Sequence, residues 1–536
     1  MKAAVFTASL CLVAFFINYQ PVKSSNGKIK EIEIKGYITQ VNSPSSFEID
    51  DYKITLDGKY DVELQNIEDK AIKFDPAVHI RIGTLVRIKC RVDTETLAAK
   101  VKEIKIDVKQ FRKLSHTTVL DSSPAELEMT ASGKWTGSIL ADARRIIITP
   151  ETEVRFKLNK SEEREAKEAK KEKEEQDKIE KEQAKEAEKA NQKAVEKAKS
   201  SDEDKLDNKS DDEDFDEGET VEELQYGTKP LQSLSDIGPG VYMTYKGVEN
   251  LNGSLIASNV VFVKNEKTKQ EKELWKKLRI KEKESKKTNS FDKMKVGGTE
   301  YKVLQEDEIQ DYVNRLGKSL IPAYQQNLLD DDENKIPFRF VVIHEKDINA
   351  GAYATGTVVI NHDVFNFIEN EAQLVFLLTH EIAHVTQEHA VRQMNDRKKT
   401  RTWLKIGAIA SYAMGYGLIA RSLAITEQAM QKGYARSIEN QSDRIGMATM
   451  INSGYDPREA PRVWRINAMV YGDDKTNFFW SDHSSNAERR SYLMLTLRNT
   501  YPGLDYSSLK KDSVEFQKIA AMIKEKYPSK RKVRKG

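Results

Sequence analysis

The chain is predicted to be a multidomain α+β protein, with two small β-barrel or OB-like modules followed by a mainly α-helical domain that carries a small β-sheet. Three observations carry this reading. Short period-two segments punctuated by Gly, Asp and Asn fill residues 28–110, and a second set recurs over 130–158 and 228–264. Between those two stretches, residues 159–227 are densely charged and have no apolar stripe, so they belong to neither core. Beyond residue 290 helical periodicity takes over, with a few buried strand-like runs.

Residues 1–24 begin with Lys2, continue through an apolar run from Ala3 to Ile17 and end in small residues, the pattern of a cleaved secretory signal. The run is short for a membrane span, so an uncleaved anchor is the alternative. The expected destination is therefore outside the cytoplasm, in the periplasm or elsewhere in the cell envelope. Cys11 lies inside the run, and after processing only Cys90 remains, which excludes an internal disulfide. A formal net charge of +2 offers no global attraction for nucleic acid.

In the first module EIEIKGYITQV, SFEID, YKITLD, TLVRIKCRV and LAAKVKEIKI alternate in strand fashion. The second echoes it. KWTGSILADARRIIITPETEVRF resembles the front half, Ile237-Gly238 pairs with Ile82-Gly83, and SLIASNVVFV pairs with TLAAKVKEIKI. Few aromatics are interleaved with basic residues on these strands, which argues against an oligonucleotide platform and for a spacer or a surface for a partner protein. In the insert, pairs such as Glu174 with Lys178 support a solvated single helix, and the acidic run after Ser200 reads as disordered. A basic linker helix is expected over 265–289, and a basic tail over 527–536.

The last domain, 290–526, is organised around Glu371 to Arg392, EAQLVFLLTHEIAHVTQEHAVR. As a helix this stretch places His380 and His384 four residues apart on one face, with Glu381 beside them, in an HExxH arrangement. Asn370 with Gln373 makes a capping-box-like start, and Val375, Leu378, Ile382 and Val385 form an apolar stripe. A catalytic zinc wants three protein ligands and one open position, and HExxH supplies two. In RSIENQSDRIG, Glu439 and Asp443 again stand four apart, which makes Glu439 the natural third ligand and Asp443 the group that holds the outer nitrogen of a ligating histidine. His362 and His389 are set aside as ligands, because three are already named. Upstream, FRFVVIHE reads as a buried strand, and Thr357 to Ile360 reads as a strand at the lip of the cleft, where an extended peptide can pair with the backbone. The peptide contacts expected there are Asn349, Ala350, Tyr353, Thr357 and Val358.

NAGAYATGTVVI, HEIAH with its following EHA, RSIENQSDRIG, GYDP and SDHSSNAERR occur in an order that resembles the gluzincin metallopeptidase family that includes HtpX, the type I CAAX prenyl protease and the BepA-like enzymes. The resemblance covers roughly Glu306 to Leu495. It implies a zinc endopeptidase with one Zn2+ per chain, held by His380, His384 and Glu439, with Glu381 as general base towards a zinc-bound water and a protein or peptide as substrate. By the same resemblance His483 and Arg489 belong to a late motif near the metal and are candidate oxyanion donors. Ala354-Thr355-Gly356 replaces the family's usual Pro-Gly-Gly turn, Ser442 a usual Ala, and Ser484 a usual Pro. The BepA-like resemblance implies quality control of misfolded or envelope proteins. The alternative is a latent peptidase fold that serves as a scaffold, with the β-modules and the charged arm recruiting partners.

Residues 404–425 hold an apolar run of about 15 residues between Lys405 and Arg421, short of the ~20 that span a bilayer. A buried Gly/Ala-rich helix over the cleft is expected there, with peripheral membrane contact as the runner-up.

Overall fold

The computed structural model describes residues 29–67, 71–109, 111–158, 228–251, 253–264, 293–296, 299–332, 334–390, 392, 436–471 and 486–531. The expected signal peptide (1–24), the charged insert (159–227), the linker helix (265–289), the apolar segment 404–425 and His483 lie outside the described residues.

The first sheet contains β1 (Ile29–Tyr37), β2 (Gln40–Ser43), β3 (Ser46–Ile49), β4 (Tyr52–Thr55), β5 (Asp61–Gln65), β6 (Leu85–Asp93) and β7 (Ala98–Asp107), with the short helix α1 (Pro76–His79) before β6. Its order is β1-β6-β7-β4-β3-β2, with β5 also on β7. Strict alternation builds it. On β6 Val86, Ile88, Cys90 and Val92 turn inward while Arg87, Lys89 and Arg91 face solvent. Burial pushes the Cys90 thiol up to about 12, so it packs as a small apolar group.

The second sheet contains β8 (Phe111–Val119), β9 (Leu127–Met129), β10 (Trp135–Ala141), β11 (Arg144–Ile148), β12 (Glu153–Lys157), β13 (Thr228–Pro230), β14 (Tyr242–Asn250) and β15 (Leu255–Val263). Strands from both sides of the charged insert share it, and it starts at Phe111, earlier than expected. Its order repeats that of the first sheet: β8-β14-β15-β11-β10-β9, with β12 also on β15 and β13 added beyond β12. Both sheets carry a bulge in the same long hairpin, at Lys89/Cys90 and at Lys246/Gly247. The counterpart of Gly83 is Gly240, not Gly238. Each has a positive φ, +87° and +85°, and each donates its N–H to the residue that follows the first strand, Ile38 or Leu120. Among the described residues neither sheet closes on itself, so the expected barrels are open sheets with one core each.

The C-terminal domain opens with the hairpin β16 (Lys293–Val296) and β17 (Thr299–Lys302). It continues with α2 (Asp307–Ser319), α3 (Ala323–Gln326), β18 (Arg339–Ile343), β19 (Ala350–Ala352), β20 (Thr357–Asn361), α4 (Val364–Phe367), α5 (Glu371–Thr386), α6 (Arg436–Asn452), α7 (Glu459–Tyr471), α8 (Asn486–Thr500) and α9 (Val514–Lys526). Asn370 caps α5 by accepting from the Gln373 N–H at 3.1 Å. Every residue of α5 is buried, because it runs through the middle of the largest core rather than along a surface. Gly446 lets α6 lie against it: a Cβ there would stand 2.9 Å from the His380 nitrogen. No helix of the described residues is long and apolar enough to cross a membrane.

Both β-sheets dock on this domain. From the first, the Tyr37 N–H donates to the Ser491 hydroxyl on α8 at 2.9 Å, and Asp50 pairs with Arg490. From the second, Gln387 at the end of α5 accepts from the Val119 N–H at 2.8 Å and the Thr118 hydroxyl at 2.9 Å, and returns a bond to the Val119 carbonyl at 3.2 Å.

Candidate metal centre

Helix α5 presents His380 and His384 on one face, and α6 brings Glu439 across from them. The three side chains converge, with the two Glu439 oxygens each facing one histidine. His380 Nε2 and His384 Nε2 are 3.1 Å apart, His380 Nε2 lies 3.5 Å from Glu439 Oε2, and His384 Nε2 lies 3.8 Å from Glu439 Oε1. Tetrahedral zinc with N and O ligands at ~2.0–2.1 Å sets its ligand atoms about 3.3–3.4 Å apart, so the donor set and its spacing fit that ion. Among the described residues this is the group of His, Cys, Asp and Glu side chains placed to share a metal.

Glu381 is buried beside these three side chains, and its Oε1 has no hydrogen-bond partner among the described residues. Burial raises its carboxyl to about 7, with the neighbouring Glu439 adding to the rise and charge on His380 opposing it. The Ala352 backbone also bonds to this carboxylate, which sets strand β19 directly beside it.

The outer nitrogens are held as well. Asp443 Oδ1 lies 3.0 Å from His380 Nδ1. Burial alone would lower the His380 value, yet its bonds to Asp443 and Glu439 raise it to about 9. Burial opposes ionisation of Glu439, but Arg489 and the two histidines hold it at about 2. His384 is pushed well below the ordinary histidine value, by burial first and then by the charge on His380, so it is neutral.

Arg489 lies behind these acids. Its guanidinium rests 3.6 Å over the Trp464 ring, pairs with Asp443 and sets Nη1 3.0 Å from Glu439 Oε2. In this structure Arg489 Nε and Nη2 are aimed at Asp443, which faces His380, and Nη1 at Glu439. His389, set aside as a ligand, is not one. Its Nδ1 is 3.0 Å from His384 Nδ1, and its Nε2 is 2.9 Å from Gln441 Oε1. Ser442, the departure from the usual Ala, places its hydroxyl 3.2 Å from the same Nδ1. Sequence reasoning missed the roles of His389 and Gln441, although the EHA that follows HExxH was the signal for the first. His362 stacks on His344 at 4.8 Å, away from the metal centre.

The expected peptide-pairing strand needs correction. The sheet order is β18-β20-β19, so Thr357 to Ile360 is the central strand, with its backbone paired on both sides. Among the described residues the strand paired on one side only is Ala350–Ala352, and all three of its residues are buried. Val358 is in the main core, and Thr357 is buried too. Tyr353 is fully buried against the β16–β17 hairpin, where its hydroxyl meets that of Tyr301 at 2.6 Å. Of the five expected contacts, Asn349 and Ala350 lie on or beside this edge strand, with the Asn349 carbonyl accepting from the Asn361 N–H at 2.9 Å.

Residues 309–497, from α2 to α8, match the family described as Peptidase family M48. The "Beta-barrel assembly-enhancing protease" of Escherichia coli K12 is 33% identical over 157 residues, 28% of this chain and 31% of that protein. The "Mitochondrial metalloendopeptidase OMA1" of Arabidopsis thaliana is 24% identical over 160 residues, 30% of this chain and 31% of that one. A bovine "Metalloendopeptidase OMA1, mitochondrial" is 27% identical over 165 residues, 28% of this chain and 31% of that one. The chain thus spans about a third of the length of these relatives, and the two β-sheets lie outside the family match. The chain carries a C-terminal domain that matches Peptidase family M48.

Proposed function

We propose that the chain is an exported zinc-dependent endopeptidase that hydrolyses peptide bonds in misfolded or cell-envelope proteins. The observation that carries this reading is the triangle of His380, His384 and Glu439 with the Glu381 carboxyl beside it, inside the segment that matches a peptidase family. The names of the bacterial relatives support an envelope role, and the expected signal peptide supports export.

His380, His384 and Glu439 would hold the ion, one per chain. When bound, it supplies Lewis acidity to the scissile carbonyl. Glu381 takes a proton from the attacking water and returns it to the leaving amine, and a carboxyl near 7 is matched to both steps at neutral pH. Substrate lies antiparallel or parallel to the edge strand Ala350–Ala352 once the residues that bury it make way, so backbone pairing holds it next to Glu381. Asp443 fixes the His380 ring, and Arg489 keeps Asp443 and Glu439 ionised. The oxyanion role then falls to His483. The two β-sheets, as OB-like modules, are sites for a partner protein, and residues 404–425 are the segment for peripheral membrane contact.

Chelation tests the reading. Casein cleavage by the signal-less protein should vanish when its metal is stripped and return with about one equivalent of zinc per chain. Cleavage that survives complete removal of metal would overturn it.

A further inference from the structure

The second β-sheet reaches the metal centre through a chain of hydrogen bonds whose direction is fixed at its far end. Hairpin β10–β11 turns on Asp142 and Ala143, both at positive φ (57° and 50°), the two-residue turn that follows the twist of its strands. That tip is buried in the peptidase domain. Arg444 on α6 donates Nη2 to Asp142 Oδ2 at 2.6 Å, and Tyr245 donates its hydroxyl to the same oxygen at 2.6 Å. Burial works against the charge on Asp142, but Arg444 and Arg144 hold its carboxyl well below the usual carboxylate range.

The other oxygen, Asp142 Oδ1, accepts from Gln441 Nε2 at 2.9 Å, and the Thr117 carbonyl of β8 accepts from that same nitrogen at 3.1 Å. An ionised carboxylate and a carbonyl only accept, so they settle which end of the Gln441 amide faces the sheet. Gln441 Oε1 therefore faces away, and Arg392 Nη1 donates to it at 3.3 Å. His389 Nε2, 2.9 Å from this oxygen, must carry a proton. With its one proton on Nε2, the fully buried His389 ring offers Nδ1 as an acceptor. His384 Nδ1, 3.0 Å from that acceptor, must then donate, and the lone pair of His384 is left on Nε2, the nitrogen in the ligand triangle.

We propose that the second β-sheet is a positioning part of the metal centre: Asp142 and the Thr117 carbonyl, acting through Gln441 and His389, fix the tautomer in which His384 can bind the ion. The proposal rests on reading His384 as a metal ligand. It makes Gln441 and His389 positioning residues, and it gives the sheet a role that a spacer lacks. A shift of the sheet that releases Asp142 from Gln441 frees the amide to turn over, and the wrong tautomer of His384 then becomes available.

Two measurements on the full chain test this. Zinc affinity is read by competition with a chromophoric chelator, and the proton position on His384 is read from nitrogen spectra of metal-free protein labelled at histidine. Gln441→Leu should weaken zinc binding by about 10- to 100-fold and move proton density from Nδ1 to Nε2 of His384. Gln387→Leu is the control, because it cuts the three hydrogen bonds between the same sheet and the end of α5 without touching the relay. It should leave both readouts near wild type. His389→Asn, which keeps an acceptor where Nδ1 stood, should retain zinc where His389→Leu does not. That pair carries the comparison if Gln441→Leu fails to fold. Equal losses in Gln441→Leu and Gln387→Leu would reduce the sheet to a brace and overturn the proposal, as would an unmoved His384 proton in Gln441→Leu. A wild type that binds no zinc but still shows the tautomer shift would sink the metal reading while upholding the relay.

Discussion

Asp443 and Arg489 are joined by two parallel hydrogen bonds, Arg489 Nε to Asp443 Oδ2 at 2.8 Å and Nη2 to Oδ1 at 2.7 Å, and both side chains are buried. Asp443 Oδ1 also faces His380 Nδ1, so the guanidinium governs a metal-facing ring through one carboxylate. Removing one partner of such a buried pair typically costs about 3–5 kcal/mol, because the other charge is left without compensation. Arg489→Met should lower the unfolding midpoint and weaken zinc binding together. Arg489→Lys should rescue little of either, since an ammonium cannot make the forked contact. An arginine that served only the oxyanion would lower turnover and leave stability and zinc affinity alone. Thermal unfolding with zinc titration separates the two.

Gly446 is where α6 meets the backbone of His380. A methyl group there would stand 2.9 Å from the His380 nitrogen and 3.1 Å from its Cα, and backbone cannot step aside cheaply. Gly446→Ala should cost about 1–3 kcal/mol in denaturant unfolding and should weaken zinc binding, because the helix that carries Glu439 must move outward. Unchanged unfolding would show that the two helices adapt.

His380 sets a pH dependence. Its folded value, about 9, lies above its unfolded one, so in metal-free protein its proton contributes stability that is fully present below about 6.5 and is lost as pH rises through about 9. Glu381, at about 7, acts in the same sense from about 4.5 upward. Metal-free protein should therefore become less stable from pH 6.5 to 9, and zinc-loaded protein should not, because the ion has already displaced the proton on His380. Zinc affinity should rise about tenfold per pH unit between roughly 7 and 9 and flatten above. An affinity that is flat across that window would mean that His380 is neutral before metal arrives.

Much of the centre was legible because its parts lie four apart on two helices. His380 with His384, and Glu439 with Asp443, share faces by periodicity alone. Gln441 was not legible, since its partners are Asp142 and Thr117, about 300 residues away in another sheet. The strand at Thr357 was read correctly as a strand and wrongly as an edge. Its apolar run says buried, but strand order is set by pairing, and the true edge, Ala350–Ala352, is a three-residue stretch of small side chains with no period to detect. The repeat of the β-sheets was legible in alternation. Its alignment slipped by two residues at Gly238, because the turn requires positive φ at Gly240 and the letters alone do not say which glycine supplies it.

The central claim is that Glu381 moves the proton at a zinc centre. Signal-less wild type and Glu381→Gln should be compared for zinc content and for casein cleavage side by side. The account predicts about one zinc per chain in both and cleavage in the wild type only. Cleavage retained by Glu381→Gln with zinc in place would contradict it.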